Sequence, residues 1–307
     1  MRVAAIDVGT VSVQLCVGEL DSGSRLAVLE DSTLVSRLGE GSDIGSRLAP
    51  DAMHRTATAI GQQLETARRT KAETIRLVGT SALREVDNLQ VFLDLVDAEL
   101  GVTVEVLPEY EEGRLVYLGV MSDADMTDPE RGRMVFDVGG ASTEVTFGTG
   151  WEMDLAVSAR LGTIMLTERY LSTDPPKLCE LVTAGMVAEK HLARIRKRLD
   201  ADTAVGVGGS VVNLARLCKG VPVDRTPEVH GMAMGFGDVR KVLYDLISVP
   251  RTERAELVGL EPGRADTILA GGVIIDRLIG MLEIPEFTVS TRGLRHGVLA
   301  ELLVGVA

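Results

Sequence analysis

Residues 134–147 read MVFDVGGASTEVTF, and residues 3–17 read VAAIDVGTVSVQLCV, the same pattern about 130 residues earlier. Each copy has a β-forming apolar run, an aspartate, a turn with glycine and hydroxyl side chains, and a second β-forming run. Glycine lets backbone N–H groups approach a phosphate, and hydroxyl groups add donors. An aspartate at a strand end suits Mg²⁺, which bridges carboxylates and phosphate oxygens. The repeat therefore predicts two loops that grip a phosphorylated substrate.

Length and composition limit the class of protein. The chain has 307 residues, enough for two modest domains, and 45% of them are hydrophobic, which supports buried cores. No apolar run reaches the roughly 18 residues of a membrane span, and the N-terminus lacks the basic region and cleavage site of a signal peptide. The cysteines are three and far apart, which argues against disulfides or a zinc site: Cys16, Cys179 and Cys218. We expect a cytoplasmic protein that does not bind membranes.

The charge of the chain excludes one class of partner. The formal net charge is −13, which disfavours non-specific binding to nucleic acid. Aromatic residues make up only 3% of the chain, so a platform for stacking bases is not expected. An acidic protein that binds phosphate must use local arginines, lysines, backbone N–H groups and metal. The sequence therefore predicts a phosphorylated substrate rather than DNA or RNA.

The order of elements predicts an α/β fold. The first part, residues 1–36, reads as a β-meander. Helices and strands alternate after it, at residues 50–69 (helix), 74–78 (strand), 88–100 (helix), 102–107 (strand) and 109–118 (helix). Strands that alternate with helices are typical of α/β architecture.

The polar residues 122–133 mark a domain boundary, because composition changes there and the repeated pattern begins again. The second half is richer in helix. Its expected elements are a helix at 175–199, a strand at 204–207, a helix ending at Cys218, a helix at 266–282 interrupted by Gly271-Gly272, a strand at 287–290 and a final helix. We predict a first domain of residues 1–122 plus 295–307 and a second domain of residues 123–294.

The chain resembles the exopolyphosphatase/guanosine pentaphosphate phosphohydrolase family from about Met1 to Leu303. Each matching segment is weak alone, but their shared order and spacing make a specific signal. The segments are residues 5–10 (AIDVGT), 80–84 (TSALR), 110–115 (YEEGRL), 137–144 (DVGGASTE), 207–210 (VGGS) and 290–297 (STRGLRHG). The chain is similar to the short members, which have the two core domains only.

This resemblance implies both a fold and an activity. The family belongs to the actin–hexokinase–Hsp70 superfamily, so it implies two ribonuclease-H-like (actin-like ATPase) domains that flank an interdomain cleft. The implied activity is Mg²⁺-dependent release of terminal phosphate from inorganic polyphosphate. The alternative substrate is a phosphorylated guanosine nucleotide, guanosine pentaphosphate, and the sequence does not discriminate between the two. We also expect a homodimer.

Three carboxylates are the predicted metal ligands: Asp7, Asp137 and Glu144. Asp137 ends one strand and Glu144 lies on the returning strand of the same hairpin. The matching positions in the resembling family hold Mg²⁺. An aspartate before glycine is also ordinary turn chemistry, but the duplication of the motif favours the metal site.

The predicted phosphate-binding residues come from several segments: Thr10, Arg84, Gly139, Gly140, Ser142, Thr143, Gly208, Gly209, Ser210 and Arg292. Arg84 follows a strand and a Gly-Thr-Ser turn, and its planar fork suits phosphate oxygens. Gly208-Gly209-Ser210 precedes a helix, whose N-terminus attracts anions. Arg292 and Arg295 could contact the substrate or join the domains. A surface arginine and a simple strand-to-helix turn remain the alternatives for Arg84 and for residues 208–210.

Glu112 is the predicted general base, because transfer of a phosphoryl group to water needs a carboxylate that orients and deprotonates the nucleophile. The segment Glu111-Glu112-Gly113-Arg114 is similar to the family's Glu-Glu-Ala-Arg, whose second glutamate is the catalytic one. The alternative is an exposed acidic turn on a helix. Glu111 is expected to be structural.

Several positions depart from the family pattern. Val11 replaces an asparagine, Gln14 stands where arginine or histidine is frequent, and Pro108-Glu109 replaces Ser-Gly. Ala141 replaces a third glycine, which is tolerable if its φ is negative. These changes suggest an altered substrate preference, and they leave open a non-catalytic sensor that binds polyphosphate or nucleotide. A sugar or acetate kinase is disfavoured by the base Glu112.

A basic run on the helix at 175–199 also has two interpretations. It consists of Arg194, Arg196, Lys197 and Arg198. A solvated helix face is favoured, since charge runs are usually exposed. The alternative is a track for a polyanionic chain.

Overall fold

The protein forms two compact units in a computed structural model. The model describes residues 1–23, 25–40, 47–84, 86–123, 130–195 and 201–305. The first unit is Met1–Thr127 together with Arg292–Ala307, and the second is Asp128–Thr291. The domain limits and the interdomain cleft inferred from the sequence stay predictions. None of the described helices is both long and apolar enough to cross a membrane.

The first unit contains one mixed sheet and its covering helices. Its described strands are β1 (Arg2–Val8), β2 (Ser12–Leu20), β3 (Leu26–Val35), β4 (Thr74–Gly79) and β5 (Glu105–Val106). Its described helices are α1 (Pro50–Arg69), α2 (Ser81–Arg84), α3 (Leu89–Leu100), α4 (Glu109–Met121) and the last helix of the chain, α11 (Leu294–Val304). The strand order is β3-β2-β1-β4-β5.

Strand β1 lies at the centre of this sheet. It pairs antiparallel with β2 and parallel with β4. Val3, Ala4, Ala5 and Ile6 are all fully buried, and helices α1 and α11 both pack against the strand. An unbroken apolar run is what a strand covered on both faces requires. The apolar run therefore places Asp7, next to its end, at the carboxyl edge of the central strand.

The second unit has a six-stranded sheet in its described part. The strands are β6 (Gly132–Val138), β7 (Thr143–Thr149), β8 (Glu152–Ala159), β9 (Thr203–Val207), β10 (Ala233–Gly235) and β11 (Glu286–Val289). The α-helices are α5 (Thr163–Tyr170), α6 (Leu178–Leu192), α7 (Gly208–Lys219), α8 (Phe236–Ile247), α9 (Arg251–Arg254) and α10 (Ile268–Met281). Two short 3₁₀ helices lie at Val223–Val229 and Pro262–Arg264. The strand order is β10-β11-β9-β6-β7-β8.

The two sheets repeat one topology. Read from the meander, the second sheet runs β8-β7-β6-β9-β11, which corresponds to β3-β2-β1-β4-β5 of the first. The register also repeats: Asp7 lies opposite Gln14, and Asp137 lies opposite Glu144. Each meander has an irregularity at an equivalent place, Val17/Gly18 and Phe147/Gly148. The duplication predicted from the sequence therefore extends to individual residue pairs.

Most predicted elements occur in the structure, with two corrections in the second unit. The helix predicted at 175–199 begins later, at Leu178, and α6 ends at Leu192. The helix predicted to break at Gly271-Gly272 continues through both residues. A Cβ added at Gly272 would lie 2.5 Å from Leu243 Cδ2, so this glycine allows α10 to pack closely on α8. Of the basic run at 194–198, Arg196, Lys197 and Arg198 lie outside the described residues.

Candidate active site

The turn between β1 and β2 is held in one conformation by backbone hydrogen bonds. The Gly9 N–H donates to the Ser12 carbonyl at 2.9 Å, and the Gly39 N–H donates to the Thr10 carbonyl at 3.0 Å. The Val11 carbonyl accepts from the Ser36 N–H at 3.0 Å. In a trans peptide the N–H points opposite to its carbonyl. The N–H groups of Val11 and Ser12 share peptide planes with the carbonyls of Thr10 and Val11. They therefore point away from residues 36–39, which hold these carbonyls.

The turn between β6 and β7 has the same closing hydrogen bond, but its held carbonyls lie one position earlier. The Gly139 N–H donates to the Ser142 carbonyl at 2.9 Å. The first amides of α5, those of Thr163 and Ile164, donate to the carbonyls of Gly139 and Gly140 at 3.0 Å each. The N–H groups of Gly140 and Ala141 share peptide planes with these two carbonyls. They therefore point away from α5. Two adjacent N–H groups with one orientation are the donor arrangement that binds phosphate.

Two small residues permit this turn. The backbone at Ala141 does not enter the left-handed region, so its methyl group causes no strain, as the sequence prediction required. Gly162, just before α5, touches the turn directly, because a Cβ there would lie 2.1 Å from the Gly140 carbonyl oxygen. Gly162 was missed by the sequence analysis, although a glycine before a helix can mark a close approach. Any larger residue at 162 displaces the turn.

Asp137 and Glu144 are direct cross-strand partners on β6 and β7. Residues that face each other in an antiparallel pair project to the same side of the sheet, and like charges there destabilise it. Glu144 is buried, and its Oε1 accepts a hydrogen bond from Ser158 Oγ on β8 at 3.0 Å. Mg²⁺ usually takes one or two carboxylates and completes its shell with water and phosphate oxygens. This carboxylate pair fits such an ion.

A glycine turn completes the surroundings of Asp137. Gly208 has φ +82°, and a Cβ there would lie 2.1 Å from Asp137 Oδ1, so only glycine is tolerated. A Cβ at Gly209 would lie 2.3 Å from Arg264 Cζ. The Arg264 guanidinium, itself held by Glu261 at 2.8 Å, thus lies against the N-terminus of α7. Arg264 was missed by the sequence analysis, and its only local signal is the Pro262-Gly263 turn before it.

Two predicted phosphate-binding hydroxyls already have acceptors in the fold. Thr143 Oγ1 donates to the Leu161 carbonyl at 2.7 Å, and Ser210 Oγ donates to the Val138 carbonyl at 2.8 Å. Both side chains are buried. These bonds join β7 to the segment before α5 and join α7 to the end of β6. In this structure both hydroxyl protons are donated to backbone carbonyls and not to a ligand. Phosphate binding by these hydroxyls stays a prediction.

Arg84 and Glu112 form an ion pair in the first unit, through Arg84 Nη1 and Glu112 Oε2. Arg84 ends α2 just after β4, and Glu112 lies in the first turn of α4 just after β5. Because β1, β4 and β5 are parallel, their carboxyl ends meet at one edge of the sheet. The structure therefore brings two predicted site residues into contact, at the edge where Asp7 also lies.

The environment of Glu112 suits a general base. The residue is only 8% exposed, so it is not the solvated acidic turn considered as the alternative. Burial raises the pKa of Glu112, the neighbouring charge of Glu109 adds to this, and Arg84 opposes both. The net shift is upward. A carboxylate with a raised pKa accepts a proton from water more readily than an exposed one.

Glu111 has a different role from its neighbour. Arg114 forms a fork on Glu111, with bonds of 2.8 and 2.7 Å, and also contacts Glu301 of α11. Arg76 of β4 contacts the same Glu301. The network joins α4, α11 and β4, which agrees with the structural role expected for Glu111. It fixes the first turn of the helix that carries Glu112.

Arg292 contacts the end of α4 in this structure. Its Nη1 donates to the Ser122 carbonyl at 2.9 Å, and its Nε lies 3.8 Å from Asp123 Oδ2. Ser122 and Asp123 lie in the same unit as Arg292, so these contacts do not decide between the two roles that the sequence left open. Phosphate binding by Arg292 stays a prediction.

A second cluster of polar groups surrounds Arg295. Its guanidinium holds both oxygens of Asp31, at 2.8 and 3.0 Å, and contacts Gln14 Oε1. Burial alone would lower the pKa of Arg295, but the charges of Asp31 and Asp7 contribute to raising it. Cys16, Asp31 and His296 are the one group of three potential metal ligands within the described residues. The arginine fork already occupies the carboxylate, which disfavours a cation there.

Comparison with known proteins identifies the family. The model of the Ppx/GppA phosphatase family matches residues 16–305. The Mycobacterium tuberculosis protein named exopolyphosphatase 2 is 33% identical, with 98% of each chain covered. A solved Ppx/GppA protein of Aquifex aeolicus is 33% identical, with a TM-score of 0.82 over 99% of this chain and 98% of that one. The chain belongs to the Ppx/GppA phosphatase family.

Family membership confirms three expectations drawn from the sequence. The resemblance was correct, the two-domain α/β fold class is shared with a solved member, and the protein is a phosphohydrolase. A Photobacterium profundum relative named guanosine-5'-triphosphate,3'-diphosphate pyrophosphatase is 28% identical over 98% of this chain and 59% of its own length. The family thus contains proteins named for both of the substrates considered above.

Proposed function

We propose that the protein is a Mg²⁺-dependent exopolyphosphatase that releases terminal orthophosphate from inorganic polyphosphate. The observation that carries the proposal is the similarity to exopolyphosphatase 2 over 98% of both chains. The buried Glu112 supports it, because a base for water distinguishes a hydrolase from a kinase of related fold. A cytoplasmic location and a homodimer remain expectations from the sequence.

Glu112 orients a water molecule and accepts its proton as the water oxygen bonds to the terminal phosphorus. The bond between this phosphorus and the bridging oxygen breaks, and the bridging oxygen keeps the electron pair. Orthophosphate and a chain shorter by one phosphate leave, and Glu112 returns its proton to solvent. Positioning and charge stabilisation supply most of the rate in such a transfer.

Further residues of each unit are proposed to bind and orient the substrate. The N–H groups of Val11, Ser12, Gly140 and Ala141 are proposed to donate to phosphate oxygens, because the carbonyls on the opposite side of these turns are held by other N–H groups. Arg84 adds a charged donor beside Glu112. Thr10, Ser142 and the turn Gly208-Gly209 extend this set.

Asp137 and Glu144 would hold the Mg²⁺ ion, with Asp7 as a further candidate ligand. Their support is the cross-strand pairing of Asp137 with Glu144 and the close fit of Asp137 against Gly208. When bound, Mg²⁺ neutralises the charge of phosphate oxygens. Ser158 orients Glu144 through its hydroxyl hydrogen bond.

Guanosine pentaphosphate is the second candidate substrate. It is favoured by the similarity to the Photobacterium profundum pyrophosphatase, which covers nearly all of this chain. Polyphosphate ranks first, because exopolyphosphatase 2 is more similar and matches from end to end.

One experiment tests both candidates. Phosphate release is measured from polyphosphate, guanosine pentaphosphate and ATP, each with Mg²⁺ and with a chelator. We expect the highest kcat/KM on polyphosphate and no turnover without Mg²⁺. Preference for the nucleotide would select the second candidate, and binding of polyphosphate without turnover would favour the sensor.

A further inference from the structure

Arg84 is in direct contact with the proposed base, Glu112. Its Nη1 contacts Glu112 and also donates to the Leu107 carbonyl at 3.0 Å. The side chain of Arg84 is 18% exposed, and that of Glu112 is 10% exposed. Nη1 therefore lies against the protein, and the Arg84 side chain keeps some exposure to solvent.

Two of the three guanidinium nitrogens of Arg84 donate no hydrogen bond to the described residues. A guanidinium carries five N–H donors, arranged for two-pronged contact with a phosphate or carboxylate. Among the described residues, Arg84 forms hydrogen bonds through Nη1 only. Nε and Nη2 are consequently available for a phosphoryl oxygen while Nη1 still contacts Glu112.

We propose that Arg84 is shared between Glu112 and a bound phosphoryl group, so that anion binding drives proton uptake by Glu112. The inference rests on the proposed function and concerns the regulation of the same site. The bound anion has two effects on Glu112, and both favour its protonated form. It shares the positive charge of the Arg84 guanidinium, and it brings a second negative charge close to Glu112.

The sign of the coupling follows from the groups that surround Glu112. Burial and Glu109 already raise its pKa, and Arg84 is the group that lowers it. An anion that shares Arg84 weakens this lowering, so the pKa of Glu112 is higher in the complex than in the free protein. Between these two pKa values, binding is accompanied by uptake of a proton from solvent. By linkage, protonation of Glu112 also strengthens anion binding.

The coupling makes Glu112 a stronger base when a phosphoryl group is present. The pH dependence of kcat/KM reports the free enzyme, and that of kcat reports the complex. The acidic limb of kcat is therefore expected at higher pH than the acidic limb of kcat/KM. Replacement of Arg84 by an uncharged residue should bring the two limbs together.

The test is calorimetry with imidodiphosphate, a non-hydrolysable probe, on the full chain without divalent ions. Titrations in buffers of different ionisation heat give the number of protons taken up. Wild type is compared with Glu112→Gln, which removes the titrating group and keeps its shape, so that protonation of the probe cancels. We expect wild type to take up more protons, by up to about one.

Arg84→Gln and Arg84→Lys separate the role of the arginine from that of the anion's own charge. The excess uptake should vanish in Arg84→Gln and return in part in Arg84→Lys. Binding with equal uptake in wild type and Glu112→Gln overturns the inference and leaves the proposed function intact. Excess uptake that persists in Arg84→Gln also overturns it. Absence of probe binding in wild type overturns the inference alone, because the proposed function requires Mg²⁺ and is tested separately by phosphate release.

Discussion

The hairpins β1–β2 and β6–β7 are built alike but carry different charges. In both, an aspartate next to the end of the first strand faces the residue seven positions later, and the turn closes through one N–H to carbonyl bond of 2.9 Å. Opposite Asp137 lies a second carboxylate, Glu144. Opposite Asp7 lies Gln14, whose amide oxygen contacts the guanidinium of Arg295.

This difference assigns different chemistry to the two copies. In the second copy, two carboxylates lie on one side of the sheet and suit a cation from solution, which we propose is Mg²⁺. In the first copy, Arg295 provides a fixed positive charge from the protein, and its charge interacts with Asp7. Under this proposal both turns bind phosphate, and the metal belongs to the second copy because Gln14 stands where Glu144 stands in that copy. We therefore expect the second copy to dominate the Mg²⁺ dependence.

The largest expected effect lies in the first unit. Glu112→Gln should lower kcat by about 10²-fold or more, because the amide cannot accept the proton of water. Binding of polyphosphate should persist, since the shape of the side chain is kept. Steady-state kinetics together with a binding titration measure both quantities.

Glu109→Gln is the matched control for this substitution. Glu109 lies one turn earlier on α4 and is exposed. We expect kcat to stay within about 3-fold of wild type, because only a weak field on Glu112 is lost. A Glu112→Gln protein with near-normal kcat would remove the base from this unit.

The turn of the second copy is tested by Gly162→Ala. The new Cβ would lie 2.1 Å from the Gly140 carbonyl oxygen, so the turn must shift. We expect a loss of about 2 kcal/mol in the free energy of unfolding and a higher KM for polyphosphate. Denaturant unfolding and kinetics measure the two effects.

Gly237→Ala is the control, because a Cβ there has nothing within 4 Å and lies in the first turn of α8. Its stability should be unchanged or slightly higher. Equal free energies of unfolding and equal KM values for the two variants would show that the turn does not depend on the close approach of Gly162.

Glu144→Gln removes the charge that distinguishes the second copy from the first. The Mg²⁺ concentration for half-maximal activity should rise about 10-fold, because a hard cation loses a carboxylate ligand. Glu152→Gln, an exposed glutamate at the start of β8, should leave it unchanged. An unaltered Mg²⁺ dependence in Glu144→Gln would place the ion elsewhere.

Asp31 holds the guanidinium of Arg295, which is the fixed positive charge of the first copy. Burial acts to raise the pKa of Asp31, but Arg295 and His296 together hold it below its usual value. Asp31→Asn should lower the free energy of unfolding by about 1 kcal/mol at neutral pH, a modest figure because Asp31 is partly exposed.

The pH dependence gives the sign of this contribution. A carboxylate with a lowered pKa stabilises the fold above its unfolded pKa, and the contribution is lost as the pH falls through the folded value. The difference between wild type and Asp31→Asn should therefore shrink below about pH 4. A difference that grows on acidification would contradict the pairing with Arg295.

The sequence predicted the repeated hairpins well because their information is local. An apolar run, an aspartate and a glycine turn fix each strand end, and the register of Asp137 with Glu144 follows from the hairpin length. The contacts that depend on distant segments could not be predicted. Gly162 and Arg264 reach the site through packing of α5 and a 3₁₀ helix, and the engagement of Thr143 by Leu161 needs the loop before α5.

Matched substitution of the two aspartates tests the asymmetry between the copies most directly. Asp137→Asn and Asp7→Asn make the same chemical change at equivalent positions, and the apparent half-saturation by Mg²⁺ is measured for both with polyphosphate as substrate. We predict that Asp137→Asn raises it about 10-fold more than Asp7→Asn does. An increase in Asp7→Asn that equals or exceeds that in Asp137→Asn would contradict the assignment of the metal to the second copy.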